Sequence, residues 1–139
     1  MSTENNKAAV RRFHAVVDAG DLDKAGEVFA PNAVVHSSGV PDPLTVEDFR
    51  QFGWVFTSAF PDGTSTIEDM IVGGDKLVSR ITYRGTHTGD LLGIPPTGKL
   101  VTISEVIIDQ LAGGKIIESW RLFDQMAMMQ QLSVIPTQG

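Results

Sequence analysis

Residues 100–123, LVTISEVIIDQLAGGKIIESWRLF, contain the pattern that decides the fold. Apolar and polar residues alternate on both sides of Gly113 and Gly114, and a period of two is typical of β-strands with one buried face. Two glycines between such runs predict a tight hairpin turn. The segment therefore predicts two neighbouring antiparallel strands, at 100–111 and 115–123.

The segments upstream of this hairpin predict the rest of the domain. A second turn at 73–75 joins strand candidates at 64–72 and 76–87, and a shorter strand candidate covers 32–38. Apolar residues at helical spacing predict three helices before the long strands, the third of them capped by Thr45, and a short helix after the last strand. Helices followed by strands that tight turns connect indicate an α+β domain, with helices on one face of an antiparallel sheet.

Composition limits the class of protein. The 139 residues fit a single domain, 1–139, and the net charge of −6 argues against nucleic acid or an anionic membrane as a partner. The chain contains no cysteine, which excludes disulfides, thiolate metal sites and cysteine nucleophiles. No apolar run is long enough for a membrane span, and residues 1–7 lack a signal-peptide core. We therefore expect a cytoplasmic protein.

The hairpin brings two carboxylates together if its loop has two or four residues. That register places Glu105 opposite Leu122, with Trp120 and Asp124 on the same apolar face and the two carboxylates as diagonal neighbours. A three-residue loop would break this pairing. Burial and a nearby like charge both raise the pKa of a carboxyl, which suits proton transfer near neutral pH. The alternative is that Glu105 forms a structural ion pair with Arg80 or another cation.

Other polar residues occupy positions where site residues are common. His36 and His87 each end a strand beside a loop, and both either line a pocket or pack structurally. Arg80 lies in the middle of a strand, where it holds an oxyanion, orients a carboxylate or forms a structural ion pair. None of the three histidines has a metal-binding spacing, so we predict no metal site.

Several aromatic residues could form the wall of an apolar cavity. Trp120, Trp54 and Phe56 are candidates for this wall, and the alternative is that they are ordinary core residues. On the first helix, Phe13 belongs to the apolar stripe and His14 lies beside it. Both are candidates for substrate binding, and the alternative for His14 is boundary packing.

Four segments together resemble a known family. They are AFPD at 59–62, RITYRGTHTG at 80–89, GIPPTGK at 93–99, and GKIIESW at 114–120, followed by Asp124 and QQL at 130–132. In this order they are similar to the SnoaL-like polyketide cyclases (ester cyclases) of the nuclear transport factor 2-like superfamily. The resemblance implies a cone-shaped α+β barrel, in which a curved antiparallel sheet wraps around helices and encloses a deep apolar pocket.

The resemblance also implies a reaction. In such cyclases an aspartate at the end of the last strand acts as general acid/base, removing a proton next to a carbonyl before an intramolecular aldol step, with no metal or organic cofactor. The matching residue is Asp124. His36, His87, Arg80 and Trp120 match positions that line the pocket. Our hypothesis is that Glu105, Arg80 and the two histidines tune the pKa of the acid/base or hold an enolate oxygen. The expected partner is a small apolar carbonyl compound.

The resemblance further implies a homodimer through the outer face of the sheet. The candidate residues for that surface are Ser104, Val106, Ile108, Ser119 and Phe123.

One departure from the family keeps other functions open. The family's cyclases have a tyrosine on the first helix, where this chain has Phe13 and His14, so the polar partner of the substrate carbonyl is either missing or supplied by His14. One alternative is a hydrolase similar to limonene-epoxide hydrolase, which would use Arg80 and Asp124. A second alternative is a non-catalytic, dimeric module that binds an apolar ligand.

Overall fold

The computed structural model describes residues 3–136, so the predicted domain 1–139 extends slightly beyond the described part at both ends. The elements are α1 (Thr3–Asp18), α2 (Leu22–Gly26), β1 (Phe29–Ser37), α3 (Val46–Ala59), β2 (Thr64–Gly73), β3 (Lys76–Thr86), β4 (Leu100–Ala112), β5 (Lys115–Phe123) and α4 (Gln125–Gln131). Within this range no helix is long and apolar enough to cross a membrane.

The strands form one open sheet in the order β1-β5-β4-β3-β2. The three pairs that involve β2 to β5 are antiparallel, whereas β1 pairs in parallel with β5. The predicted α+β class is thus confirmed, but the sheet is mixed and not wholly antiparallel. A tight turn makes the two strands that it joins antiparallel. Because no turn joins β1 to β5, the turns in the sequence do not determine the relative direction of these two strands.

The third helix begins where the sequence predicts. The Thr45 hydroxyl accepts a hydrogen bond from the Asp48 N–H at 3.1 Å, and the Asp48 carboxylate accepts one from the Thr45 N–H at 3.4 Å. This reciprocal capping box satisfies two backbone donors that the helix itself leaves unpaired.

The Gly113–Gly114 turn is a two-residue loop, one of the two forms that the predicted register allows. Both glycines have positive φ values, 59° and 78°, as hairpin turns of this type require. The first pairs beyond the turn, Ala112 with Lys115 and Leu111 with Ile116, match the predicted register.

A β-bulge directly after these pairs changes the register. Gln110 pairs with Glu118, so Ile117 is an extra residue in β5. Every later pair is displaced by one position, and Ile107 lies opposite Arg121. Since neighbouring strand residues point to opposite faces, the displacement reverses the face of every later β5 side chain.

The predicted facing of the β5 residues is therefore wrong. Trp120 and Leu122 lie on the face opposite to that of Glu105, and Leu122 is 63% exposed. Ser119 and Phe123, which were expected on the outer face, lie on the same face as Glu105. We call this helix-covered face the inner face. On β4 and β5 it carries Ile103, Glu105, Ile107, Asp109, Ser119, Arg121 and Phe123.

Two apolar clusters join the helices to the inner face. In the first, Val10 and Phe13 of α1 pack with Leu77 and Leu111 of the sheet. In the second, Phe60 at the end of α3 packs with residues of β4 and α4, among them Ile103 and Met128. Val10 and Phe13 on α1 are spaced by three residues, and Phe49, Phe52 and Phe56 on α3 by three and four. This spacing places the apolar residues of each helix on one face.

The loop after β3 is tied to the end of α3. The backbone N–H groups of Thr88 and Gly89 both donate to the Ala59 carbonyl, at 3.0 and 3.1 Å. The chains approach so closely that a Cβ at residue 89 would lie 2.1 Å from the Ser58 carbonyl oxygen. Only glycine fits this contact without movement of the backbone.

We expect Gly89→Ala to destabilise the protein by about 1–3 kcal/mol, because the loop must move away from α3. Gly73→Ala is the matched control, since a Cβ there meets nothing within 4 Å, and its effect should stay within about 0.5 kcal/mol. Urea unfolding of both variants gives the comparison. Equal midpoints for the two variants would contradict the proposed close contact.

Candidate active site

An apolar cavity of about 210 Å³ lies between the helices and the inner face. Its wall contains residues of both apolar clusters, for example Phe29 of the first and Leu91 of the second. Phe49, Phe52 and Phe56 of α3 supply much of the remaining surface. The polar or charged side chains in the wall are His14, Ser37, Arg50, Thr57, Ser65, Tyr83, Glu105, Arg121 and Gln125.

Glu105 and Arg121 form the charged part of the wall. Arg121 lies opposite Ile107, two residues from Glu105, so the two charged residues are diagonal neighbours about 7–8 Å apart at their backbones. The Arg121 side chain is only 7% exposed. The bulge at Ile117 is what turns it inward, as described above.

Aromatic rings hold the Arg121 guanidinium in place. Its central carbon lies 5.0 Å from the centre of the Phe13 ring and 4.9 Å from that of Phe49. Nη1 donates a hydrogen bond to the Ser119 hydroxyl at 3.3 Å. Within residues 3–136, no carboxylate oxygen lies within 4.0 Å of the Arg121 guanidinium. Cation–π contacts thus stabilise a guanidinium that keeps unused N–H donors.

The Glu105 carboxyl lies in surroundings that favour its neutral form. Burial raises its pKa, the positive charge of Arg121 lowers it, and the nearby Asp109 carboxylate raises it further. In the part of the chain that the structure describes, no group donates a hydrogen bond to this carboxylate. A carboxyl with a raised pKa is a stronger base once it is ionised, which suits it to accept and return a proton.

Asp109 follows Glu105 and Ile107 along the inner face of β4 and is 1% exposed. Burial raises its pKa, while Arg121 and the hydroxyl of its cross-strand neighbour Ser119 lower it. Asp109 is absent from the cavity wall. It therefore acts on the cavity through its charge and not by contact.

Two further polar side chains face the cavity as neutral groups. Burial, together with the Arg121 charge, lowers the pKa of His14 to about 3, so its ring is uncharged at pH 7. Burial and the neighbouring carboxylates of Asp18, Asp62 and Glu105 raise the pKa of the Tyr83 hydroxyl. A neutral phenol is available as a hydrogen-bond donor.

Four of the residues predicted from the sequence share this cavity. They are Phe13, His14, Phe56 and Glu105. Trp54, also predicted as a wall residue, is 55% exposed and borders a separate shallow depression beside the loop between α1 and α2.

His36 and Trp120 lie together on the outer face. Their rings stack at 5.5 Å, and His36 Nε2 lies 2.7 Å from a carboxylate oxygen of Glu118. The predicted position of both residues in the pocket is contradicted, because the bulge turns Trp120 outward and its parallel neighbour His36 faces the same way.

His87 and Arg80 also lie outside the cavity wall. Arg80 is exposed, and it pairs with Asp69 at 2.8 Å. The His87 ring is fully buried against Phe60, and its Nδ1 accepts a hydrogen bond from the Thr97 N–H at 3.2 Å. Arg80 thus belongs to a surface ion pair, and His87 anchors the loop that contains Thr97.

Asp124 caps the last helix. Its carboxylate accepts a hydrogen bond from the Ala127 N–H at 3.0 Å, and its side chain is exposed and absent from the cavity wall. The adjacent Gln125 does line the cavity. The expected diagonal contact between Asp124 and Glu105 is wrong because of the bulge, whereas the catalytic role of Asp124 stays a prediction.

Arg121 is the site residue that the sequence analysis missed. The continuous register placed it on the outer face. One signal could have found Arg121. In a hairpin register without a bulge, the buried Glu105 carboxylate has no cation beside it. A shift of β5 by one position places Arg121 beside Glu105 and compensates this charge.

An apolar cavity between helices and a sheet, with a few converging polar groups in its wall, is the arrangement in which small-molecule sites are commonly found. The family model of the SnoaL-like polyketide cyclases matches residues 7–132. This chain therefore belongs to that family, and the resemblance stated from the sequence is confirmed. A search of the curated proteins found no match.

Solved structures agree with this assignment. IdmH of Streptomyces antibioticus, assigned as a polyketide cyclase, is 28% identical, with a TM-score of 0.83 over 92% of this chain and 98% of IdmH. A SnoaL-like protein of Jannaschia sp. CCS1 is 26% identical, with a TM-score of 0.86 over 98% of both chains. AclR of Streptomyces galilaeus, assigned as a hydroxylase, is 24% identical, with a TM-score of 0.91 over 99% of this chain and 87% of AclR. At that identity AclR shows the fold alone.

The lowered pKa of His14 predicts a pH-dependent stability. The folded protein resists protonation of this ring and the unfolded chain does not, so stability is lost as pH falls from 6.5 towards 3. Between pH 7 and pH 4 we expect the His14 contribution to fall by roughly 3 kcal/mol.

The check is urea unfolding of the wild type and of His14→Leu at both pH values. The raised pKa values of Glu105 and Asp109 act in the opposite direction in both proteins, so only the difference between the proteins reports on His14. A difference that does not change with pH would show that the ring is already protonated or exposed.

Proposed function

We propose that this protein is an enzyme that enolises a small, apolar carbonyl compound, with Glu105 as general acid/base and Arg121 as the stabiliser of the enolate oxygen. One observation carries the proposal. A carboxyl with a raised pKa and a guanidinium with unused donors face the same apolar cavity.

The first step is removal of a proton. The Glu105 carboxylate takes a proton from the carbon next to the substrate carbonyl, and the electron pair moves to the carbonyl oxygen. Arg121 N–H groups then donate to this oxygen as its negative charge develops. The apolar wall keeps water away, which strengthens this electrostatic contact.

The second step closes a ring when the substrate contains another carbonyl. The enolate carbon attacks that carbonyl carbon, forming the new carbon–carbon bond, and protonated Glu105 returns its proton to the resulting alkoxide. The substrate and the product of this intramolecular aldol reaction have the same atoms. The reaction requires neither a metal nor an organic cofactor.

The proposal assigns the acid/base role differently from the family resemblance. The resemblance implies Asp124, whose carboxylate caps a helix and is exposed. Glu105 is the carboxyl that lines the cavity. Since proton transfer requires hydrogen-bond reach of the substrate, the geometry supports Glu105.

We expect Glu105→Gln to lower α-proton exchange by about 100-fold or more, the usual contribution of a general base. The readout is deuterium exchange from D₂O into a panel of aryl methyl ketones and β-keto esters, followed by NMR. Asp124→Asn is the matched control, and its rate should stay within about threefold of the wild type. Loss of exchange in Asp124→Asn alone would reverse the assignment.

A second candidate function is hydrolysis of an epoxide. The pair predicted for it, Arg80 and Asp124, is not brought together, since Arg80 is on the outer face and Asp124 is at the start of α4. Glu105 and Arg121 offer the same chemical groups within the cavity, where the carboxylate would activate water and the guanidinium would bind the epoxide oxygen. Incorporation of ¹⁸O from labelled water into the diol formed from styrene oxide distinguishes this reaction from enolisation.

We also propose that the protein is a homodimer through the outer face of the sheet. Ser104, Val106 and Ile108 lie on that face as predicted, and the bulge adds the exposed Leu122 beside them. Such an apolar strip on the open side of a sheet favours association with a second sheet.

The mass in solution tests the dimer. Leu122→Glu should convert the dimer to a monomer, because it places a charge in the proposed interface. Met126→Glu is the control, since Met126 is equally exposed (61%) but lies on α4. Light scattering after gel filtration gives both masses, and a wild-type monomer would end the proposal.

A further inference from the structure

We propose that Asp109 is the buried counter-ion of Arg121, and that its charge makes the cavity select neutral carbonyl compounds over carboxylates of the same shape. The inference rests on the proposed function in one respect, that the cavity is the ligand site. It does not depend on which reaction takes place there.

The first argument is the position of Asp109. It pairs with Ser119, so Arg121 is its diagonal neighbour on the inner face, about 7–8 Å away at the backbone. The Arg121 guanidinium donates to the hydroxyl of Ser119, the cross-strand partner of Asp109. Asp109 is 1% exposed, and its Oδ1 lacks a hydrogen-bond partner in the described part of the chain.

The second argument is the count of charges around the Arg121 guanidinium. Arg121 contributes one positive charge, and Glu105 and Asp109 are the two acidic groups that interact with it. His14 is uncharged at pH 7. With Asp109 ionised, these groups sum to zero or to −1, depending on the proton of Glu105.

The remaining cation of the wall, Arg50, is already compensated. Its guanidinium bonds to the carboxylates of Asp23 and Glu47, each at 2.7 Å. An anionic ligand therefore finds no net positive charge in the cavity. If Asp109 were neutral, the same cavity would gain one positive charge next to unused Arg121 donors, and it would attract a carboxylate.

The third argument is size. A cavity of about 210 Å³ holds a substituted benzene ring. Nitrobenzene and benzoate have nearly the same shape and differ by one charge, so a change in their relative affinities between variants reports a change in the electrostatic preference of the cavity.

The experiment measures the dissociation constants of both probes at pH 7 by NMR titration. We expect the wild type to bind nitrobenzene at least about tenfold more tightly than benzoate, and Asp109→Asn to shift this ratio by about tenfold or more towards benzoate. Asp69→Asn is the matched control: it changes the net charge equally, but Asp69 pairs with Arg80 outside the cavity. Its ratio should equal that of the wild type.

Three results would overturn the proposal: an unchanged ratio in Asp109→Asn, an equal shift in Asp69→Asn, or no binding of either probe to the wild type. Failure of the enolisation proposal is a separate result, because it appears as unchanged proton exchange in Glu105→Gln and leaves these affinities untouched.

A second measurement covers the case in which Asp109→Asn does not fold. In Glu105→Gln, Asp109 is the remaining carboxyl near Arg121. The affinity for benzenesulfonate, which stays anionic, should then rise as pH falls from 7 to 4, while that for nitrobenzene stays constant. His14 is still largely neutral in this range. A constant benzenesulfonate affinity would exclude the charge of Asp109 as the cause.

Discussion

The extra residue at Ile117 is the feature on which the site depends. A strand points alternate side chains to opposite faces, so one inserted residue reverses all those that follow. Here the reversal exchanges Trp120 and Leu122 for Ser119, Arg121 and Phe123 on the inner face. Without the bulge the cavity would contain Glu105 with no cation beside it, and the guanidinium would face solvent.

Burial of these charges is costly, and the surrounding structure shows how the cost is offset. Phe13 and Phe49 contact the Arg121 guanidinium, and Ser119 accepts one of its hydrogen bonds. The two carboxyls share a single cation and have raised pKa values. A neutral ligand oxygen would accept hydrogen bonds from the Arg121 donors that have no partner. This contact would offset more of the cost, since an isolated buried guanidinium is destabilising.

The sequence predicts much of the fold because the signals are local. The Thr45 cap, the two glycines at the last turn and the alternating strands each depend on a few adjacent residues. Local signals do not predict the facing of Trp120, because a bulge is decided by packing across the sheet and the IIES segment contains no glycine or proline to mark it. The prediction that His36 and His87 line the pocket is wrong for a related reason. The position of a residue at the end of a strand does not specify the face of the sheet to which its side chain points.

Membership of the SnoaL-like family and the geometry of the cavity answer different questions. The family match over residues 7–132 establishes ancestry and fold, and a fold supports many reactions. The reaction depends on which carboxyl reaches the ligand, and a helix cap such as Asp124 already uses its carboxylate to satisfy a backbone N–H. If Asp124 left this bond to act as a base, the start of α4 would lose its cap. In the described part of the chain the Glu105 carboxylate caps no helix. Glu105 can therefore change its protonation state without destabilising a helix terminus.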